Sequence, residues 1–280
     1  HRRFRQAFRH FSRMRRNHAV RSGRNCATGR VGLLLMAIEI VSPAPAVKFA
    51  DPDITARGEP RAKVAFTGLK TLWVNTGTLC NIACVHCYIE SSPSNDSLSY
   101  FTPADLASFL DEVDTLAGGL IEIGFTGGEP FMNPHMDALA EMALARGHSV
   151  LILTNAMRPM MRPKQRSALL ALRRTYGRRL ILRVSLDHYG GDRHDQERGE
   201  GGFDETVKGI DWLAAHEFST SLAGRSMLGE CEADARRGYA KLIAAHGWAI
   251  DANDPAELVI FPEMDEQIQL LQGKAVARSR

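Results

Sequence analysis

Six short strand-like segments, most of them apolar runs, alternating with stretches of helical character, constrain this chain more than any other feature. They are Leu69 to Asn75, Leu120 to Phe125, Val150 to Leu153, Leu180 to Leu186, Ser219 to Ala223 and Leu258 to Phe261. Helices are expected over Pro103 to Leu116, Met136 to Arg146, Gln165 to Tyr176, Phe203 to His216 and Ala233 to Ala245. The signals at their ends agree: Thr102 precedes Pro103 in the favoured order of cap and first position, and Gly147 and Gly177 follow two of the helices. Apolar runs of this kind fit parallel strands covered on both faces. Strand–helix alternation then means a parallel sheet, either barrel or doubly wound. Six units are too few for the eight-fold barrel.

The polar residues that stand out follow these runs, where parallel α/β sheets bind their ligands. After the first run come Cys80, Cys84 and Cys87, three of the five cysteines in the chain. Thiolates select zinc, copper(I) or iron–sulfur clusters. A structural zinc takes four protein ligands, and an ordinary cubane takes four cysteines. Three cysteines on a cubane leave one iron open to a small molecule. The bland alternative is a zinc site with His86 as fourth ligand, which adjacent residues in a tight loop can hardly form. Thr126-Gly127-Gly128-Glu129-Pro130 follows the second run, Thr154-Asn155 the third, Ser185 to His188 the fourth and Gly224-Arg225 the fifth. Alone, the glycine pair reads as an ordinary turn.

Composition excludes several classes. The apolar content of 44% and charged content of 24% are those of a globular protein. The net charge of +3 conceals a segregation: residues 1–35 carry ten arginines and no Asp, Glu or Lys. The other 25 basic residues face 32 acidic ones, so the body is mildly acidic and nucleic-acid binding is not expected. An odd, clustered cysteine set is not a disulfide framework, which points to a reducing, cytoplasmic compartment. No stretch reaches the roughly 20 apolar residues needed to span a membrane. Residues 1–60 read as a basic, disordered or non-native leader and a Pro-rich linker, with Met36 as the alternative translation start and a secretory signal as the minor reading. Residues 61–265 form the expected barrel, and residues 266–280 an unpatterned tail consistent with truncation.

The CxxxCxxC spacing of Cys80, Cys84 and Cys87, with Gly127-Gly128-Glu129-Pro130 at the end of the second strand, resembles the radical S-adenosylmethionine (radical SAM) superfamily. His86 and Tyr88 flank the third cysteine where the family usually has an aromatic residue before it. The resemblance covers roughly residues 69–262 and implies a partial (β/α)6 TIM-like barrel. It further implies a [4Fe-4S] cluster on the three cysteines, with SAM chelating the open iron. Gly127, Gly128 and Glu129 would receive the methionine ammonium, the glycines letting backbone approach the ligand. Asn155 and Ser185 are candidates for the ribose hydroxyls and Arg225 for the SAM carboxylate. Arg225 to Glu230 faintly matches the family's adenine-contact pattern. The implied reaction is reductive cleavage of SAM to methionine and a 5′-deoxyadenosyl radical that takes hydrogen from a substrate. That substrate is a small molecule or a peptide, and the electron comes from a donor such as flavodoxin or ferredoxin. A cluster-binding protein without turnover is the alternative.

Three further groups read as structural. Asp187, His188, His194 and Asp195 look like a solvated, charged loop, the alternative being substrate contacts with His188 as an acid or base. Cys231 looks like a small buried residue, and Met157, Met160 and Met161 like loop packing.

Overall fold

The computed structural model describes residues 50–226 and 230–262. The expected leader before residue 50, Cys26, and the tail after residue 262 lie outside the described residues, as do residues 227–229 of the faint adenine-contact pattern. The chain divides into two units, His1–Val64 and Ala65–Arg280. In the first, an antiparallel bridge joins Ile54 to Pro60, and Lys63 pairs with Asp53 at 2.7 Å.

The second unit contains one sheet of six parallel strands in sequence order: β1 Thr71–Asn75, β2 Glu122–Thr126, β3 Ser149–Thr154, β4 Leu180–Ser185, β5 Ser219–Ser226 and β6 Leu258–Pro262. Each pairs only with its chain neighbours, so the sheet is open between β1 and β6. Successive side chains of a strand point to opposite faces. The outer face carries Val74, Ile123, Phe125, Val150, Ile152, Leu182, Val184, Leu222 and Leu258, all within one buried core. Helices α1 Pro103–Leu116, α2 Met136–Ala145, α3 Pro163–Tyr176, α5 Gly202–Ala215 and α6 Glu232–His246 contribute Leu106, Leu139, Leu169, Ile210 and Tyr239 to it. The start of α1 is fixed by a reciprocal cap. The Thr102 hydroxyl accepts from the Asp105 N–H, and Asp105 accepts from the Thr102 N–H.

The inner face is less covered than continuous apolar runs suggest. It presents Trp73, Leu153, Arg183, Ser185, Ala223, Arg225 and Phe261 to a cavity. The apolar runs are long enough to suggest two covered faces, but β4 (LILRVS) alternates in burial, and its inward Arg183 and Ser185 stay half-exposed. Trp73 lies flat across Gly124, where an added Cβ would sit 2.5 Å from the indole.

A sixth helix, α4 Gly191–Arg198, corrects the expectation of a solvated loop after β4. Its sequence GDRHDQER has no apolar periodicity. It buries polar groups instead: His194 is fully buried, and Asp187 and His188 just before it are also buried. Asp195 caps the next turn, its carboxylate accepting from the Gly201 and Phe203 N–H groups. Cys231 also differs from expectation. It is exposed at the N-terminus of α6, its thiol donating to the Asp234 carboxylate at 3.2 Å. Met157 and Met160 are buried, as packing residues should be.

Candidate active site

The segment between β1 and α1 carries the cysteines, and its shape is held by backbone bonds to the end of β2. Gly128 N–H donates to Gly77 O at 2.8 Å, Glu129 N–H to Leu79 O at 3.1 Å and Thr76 N–H to Thr126 O at 2.8 Å. Buried Asn133 adds two more, its Nδ2 donating to Thr76 O and Phe101 O. The two glycines are needed for this seam. A Cβ on Gly127 would lie 2.5 Å from Gly77 O, and one on Gly128 would lie 2.2 Å from Leu79 O. The close backbone approach they permit is therefore to the cysteine segment, a role the sequence reading assigned only to ligand contact.

A cavity of about 440 Å³ opens at the carboxyl ends of the strands. Cys80, Cys84, Cys87, Gly127, Gly128, Glu129, Asn155, Ser185 and Arg225 all line it, brought from four strand ends and the cysteine segment. Cys80 is buried, whereas Cys84 and Cys87 are half-buried. Burial pushes the Cys80 thiol up to about 12 and that of Cys84 upward as well, while the Arg198 guanidinium pulls both down. The Ser91 N–H points at Cys87 Sγ at 3.2 Å. Buried thiols of this kind lose their protons when a metal takes their place.

Glu129 is 2% exposed. Its Oε1 accepts from the Thr154 hydroxyl at 2.8 Å and the Phe131 N–H at 3.2 Å; Oε2 accepts from the Asn155 N–H at 2.8 Å. Burial raises its carboxyl to about 7 against these three bonds. Asn155 donates from Nδ2 to Asn81 Oδ1 at 2.9 Å, tying the end of β3 to the residue after Cys80.

A charged group adjoins the cysteine segment, and of its members the sequence singles out Asp187 and Arg225 but not Glu197 or Arg198. Asp187 is bound side-on by Arg198, Nε to Oδ2 at 2.8 Å and Nη2 to Oδ1 at 3.0 Å. Arg225 approaches Asp187 at 3.6 Å and Glu197 at 3.7 Å. Glu197 in turn grips the cysteine segment twice: its carbonyl accepts from the Val85 N–H at 2.9 Å, and its carboxylate meets His86 Nδ1 at 2.8 Å. His86 is thus bound to α4, which removes support from the zinc reading with His86 as a ligand. Hydropathy carries no signal for this group, because charge pairing rather than apolar character pays for its burial. Asp187 after β4 and Arg225 in β5 are the visible cues.

His194 anchors the same turn. Its Nδ1 accepts from the Asp187 N–H at 3.2 Å, which leaves the ring neutral with its proton on Nε2. Burial, aided by the Arg198 charge, lowers its pKa to about 4. The folded state therefore resists a proton that the unfolded chain accepts near pH 6.5. The associated stability is complete above that pH and is lost as pH falls towards 4, a contribution on the order of 3 kcal/mol. Urea denaturation at pH 7 and pH 5 should show a fall in stability that is reduced in His194→Gln, and an equal fall in both proteins would refute this assignment.

A family model described as "Radical SAM superfamily" matches residues 74–237. The chain belongs to the radical SAM superfamily. Its members use a [4Fe-4S] cluster and SAM. The chain is 33% identical over 146 residues to the antilisterial bacteriocin subtilosin biosynthesis protein AlbA of Bacillus subtilis, covering 51% of this chain and 30% of that protein. It is 32% identical over 145 residues to the mycofactocin maturase MftC of Mycobacterium tuberculosis, covering 50% and 33%. The chain thus spans about a third of the length of these curated relatives. Among solved structures, Streptococcus suis SuiB bound to precursor peptide SuiA superposes with a TM-score of 0.55 at 12% identity, covering 71% of this chain and 40% of SuiB. The open six-stranded sheet is accordingly a partial TIM-like barrel. No helix among the described residues is long and apolar enough to cross a membrane.

Proposed function

We propose that this chain is a radical SAM enzyme that modifies a peptide. The observation carrying this reading is the convergence of three thiols and the Gly127-Gly128-Glu129 turn on one cavity. The donor set fits the implied group, because three thiols with no fourth cysteine lining the cavity among the described residues suit a cubane with one open iron. Cys80, Cys84 and Cys87 would hold the cluster. When bound, it would supply the one electron needed for reductive cleavage of SAM to methionine and a 5′-deoxyadenosyl radical, the species that would take hydrogen from the substrate.

The residues of the chain bind and orient. Glu129 Oε2, with one hydrogen bond in the protein, has a lone pair left for the SAM ammonium. A ligand cation there would favour the ionised carboxylate against burial. Asn155 and Ser185 suit the ribose hydroxyls, and Arg225 the carboxylate, at the mouth of the same cavity. Trp73, Leu153 and Phe261 give the inner wall an apolar character. The peptide class rests on the bacteriocin and mycofactocin relatives and the peptide-bound neighbour. A flavodoxin or ferredoxin would serve as one-electron donor.

The test is anaerobic reconstitution with iron and sulfide, then dithionite and SAM, with 5′-deoxyadenosine measured by chromatography. Release of deoxyadenosine is the expected result. A loaded cluster without deoxyadenosine would favour a cluster-binding segment without turnover, and a protein that takes zinc but no sulfide would refute the assignment.

A further inference from the structure

Asp187 and Arg198 form a buried ion pair, their side chains 5% and 12% exposed. Such a pair contributes little to stability in itself, since desolvation offsets the attraction, and apolar residues of similar volume serve as well. Its orientation is more informative. The side-on contact uses Arg198 Nε and Nη2, and among the described residues Nη1 has no hydrogen-bond acceptor. Both residues line the cavity with the cysteines. Glu197, the neighbour of Arg198 on α4, accepts from the Val85 N–H just after Cys84, so the positive end of the pair shares the cavity wall with the cysteine segment. Arg225 and Glu197 extend the network, and the Glu197 contacts with Val85 and His86 hold α4 against the cysteine segment.

A cubane on three thiolates carries net negative charge, and reduction adds one electron without moving a proton or a bond. A buried cation beside it favours the reduced form, because net charge is one of the main determinants of cluster potential. Resting on the cluster assignment above, we propose that Arg198, oriented by Asp187, is a positioning residue that raises the reduction potential of the cluster and makes it reducible by a low-potential one-electron donor.

The test is an anaerobic redox titration of the reconstituted protein with dithionite, followed by the electron paramagnetic resonance signal of the reduced cluster. Omitting SAM keeps any contact between Arg198 and the SAM carboxylate out of the measurement. Arg198→Gln should lower the equilibrium constant for reduction at least tenfold, which is 59 mV for a one-electron couple. Arg198→Lys, which keeps the charge, should remain within threefold of the parent. An unchanged potential in Arg198→Gln overturns the proposal, as does an equal fall in both variants, which would indicate lost packing. If Arg198→Gln does not retain iron and sulfide, the lysine variant decides: a tenfold fall there overturns the proposal, and a potential within threefold supports it. Failure of the parent protein to load a cluster is a separate outcome that refutes the cluster assignment itself.

Discussion

Replacement of Cys84 by alanine should abolish both the brown chromophore and the release of 5′-deoxyadenosine, while leaving the fold intact. Cys84 sits on the cavity wall, half-buried and outside the main hydrophobic core. Its removal creates no void among the residues that support the sheet. Two thiols remain, on Cys80 and Cys87, and among the described residues no further cysteine lines the cavity to replace the third. His86 is held by Glu197 at 2.8 Å, and the fourth described cysteine, Cys231, lies exposed at the start of α6 and does not line the cavity. Iron and acid-labile sulfide per protein, with the unfolding midpoint of the cluster-free form, provide the measurement. A variant that kept the parent's iron, sulfide and deoxyadenosine would sink the ligand assignment.

Gly128→Ala should be nearly as damaging, for a different reason. The added Cβ would lie 2.2 Å from Leu79 O, 2.7 Å from Leu79 C and 2.8 Å from Thr78 O. All three are backbone atoms, so no side chain can swing aside. Either β2 or the cysteine segment must move, which breaks the bonds from Gly128 N–H to Gly77 O and from Glu129 N–H to Leu79 O. A loss of about 3 kcal/mol is expected, at the upper end of overpacking costs. Cluster content should fall with it. Gly119→Ala is the matched control, because nothing lies within 4 Å of its Cβ position. Its stability should change by no more than about 0.5 kcal/mol. Chemical denaturation of the two variants measures both effects, and equal stabilities would show that the seam yields without cost.

The strands and most helices were legible because their chemistry is written locally. β2 and β3 are apolar runs that pack Ile123, Phe125, Val150 and Ile152 against helices. α1 announces itself through Thr102, Pro103 and the spacing of Leu106, Leu110 and Val113. The ends of β5 were harder. Gly224, Arg225 and Ser226 are strand in the structure, though a glycine and a charged residue suggest that a strand has stopped. Helix α4 was not legible at all. Its buried side is polar, with Arg198 paired to the Asp187 carboxylate and His194 accepting from the Asp187 N–H through Nδ1. A periodicity built on hydropathy has nothing to detect there.

By itself, the sequence determined the class of protein, the six-strand parallel architecture and the location of the chemistry at the strand ends. These follow from short-range patterns: three thiols within one loop, a glycine pair after a strand, and apolar runs of strand length. Only the tertiary structure decided what opposes the thiols and why the glycines are needed. Asp187, Glu197, Arg198 and Arg225 lie about a hundred residues or more after the cysteines, and they meet them because parallel strands bring successive loops to one end of the sheet. A buried charge is stable only beside its partner, so its position is a property of the assembled sheet and of no single segment.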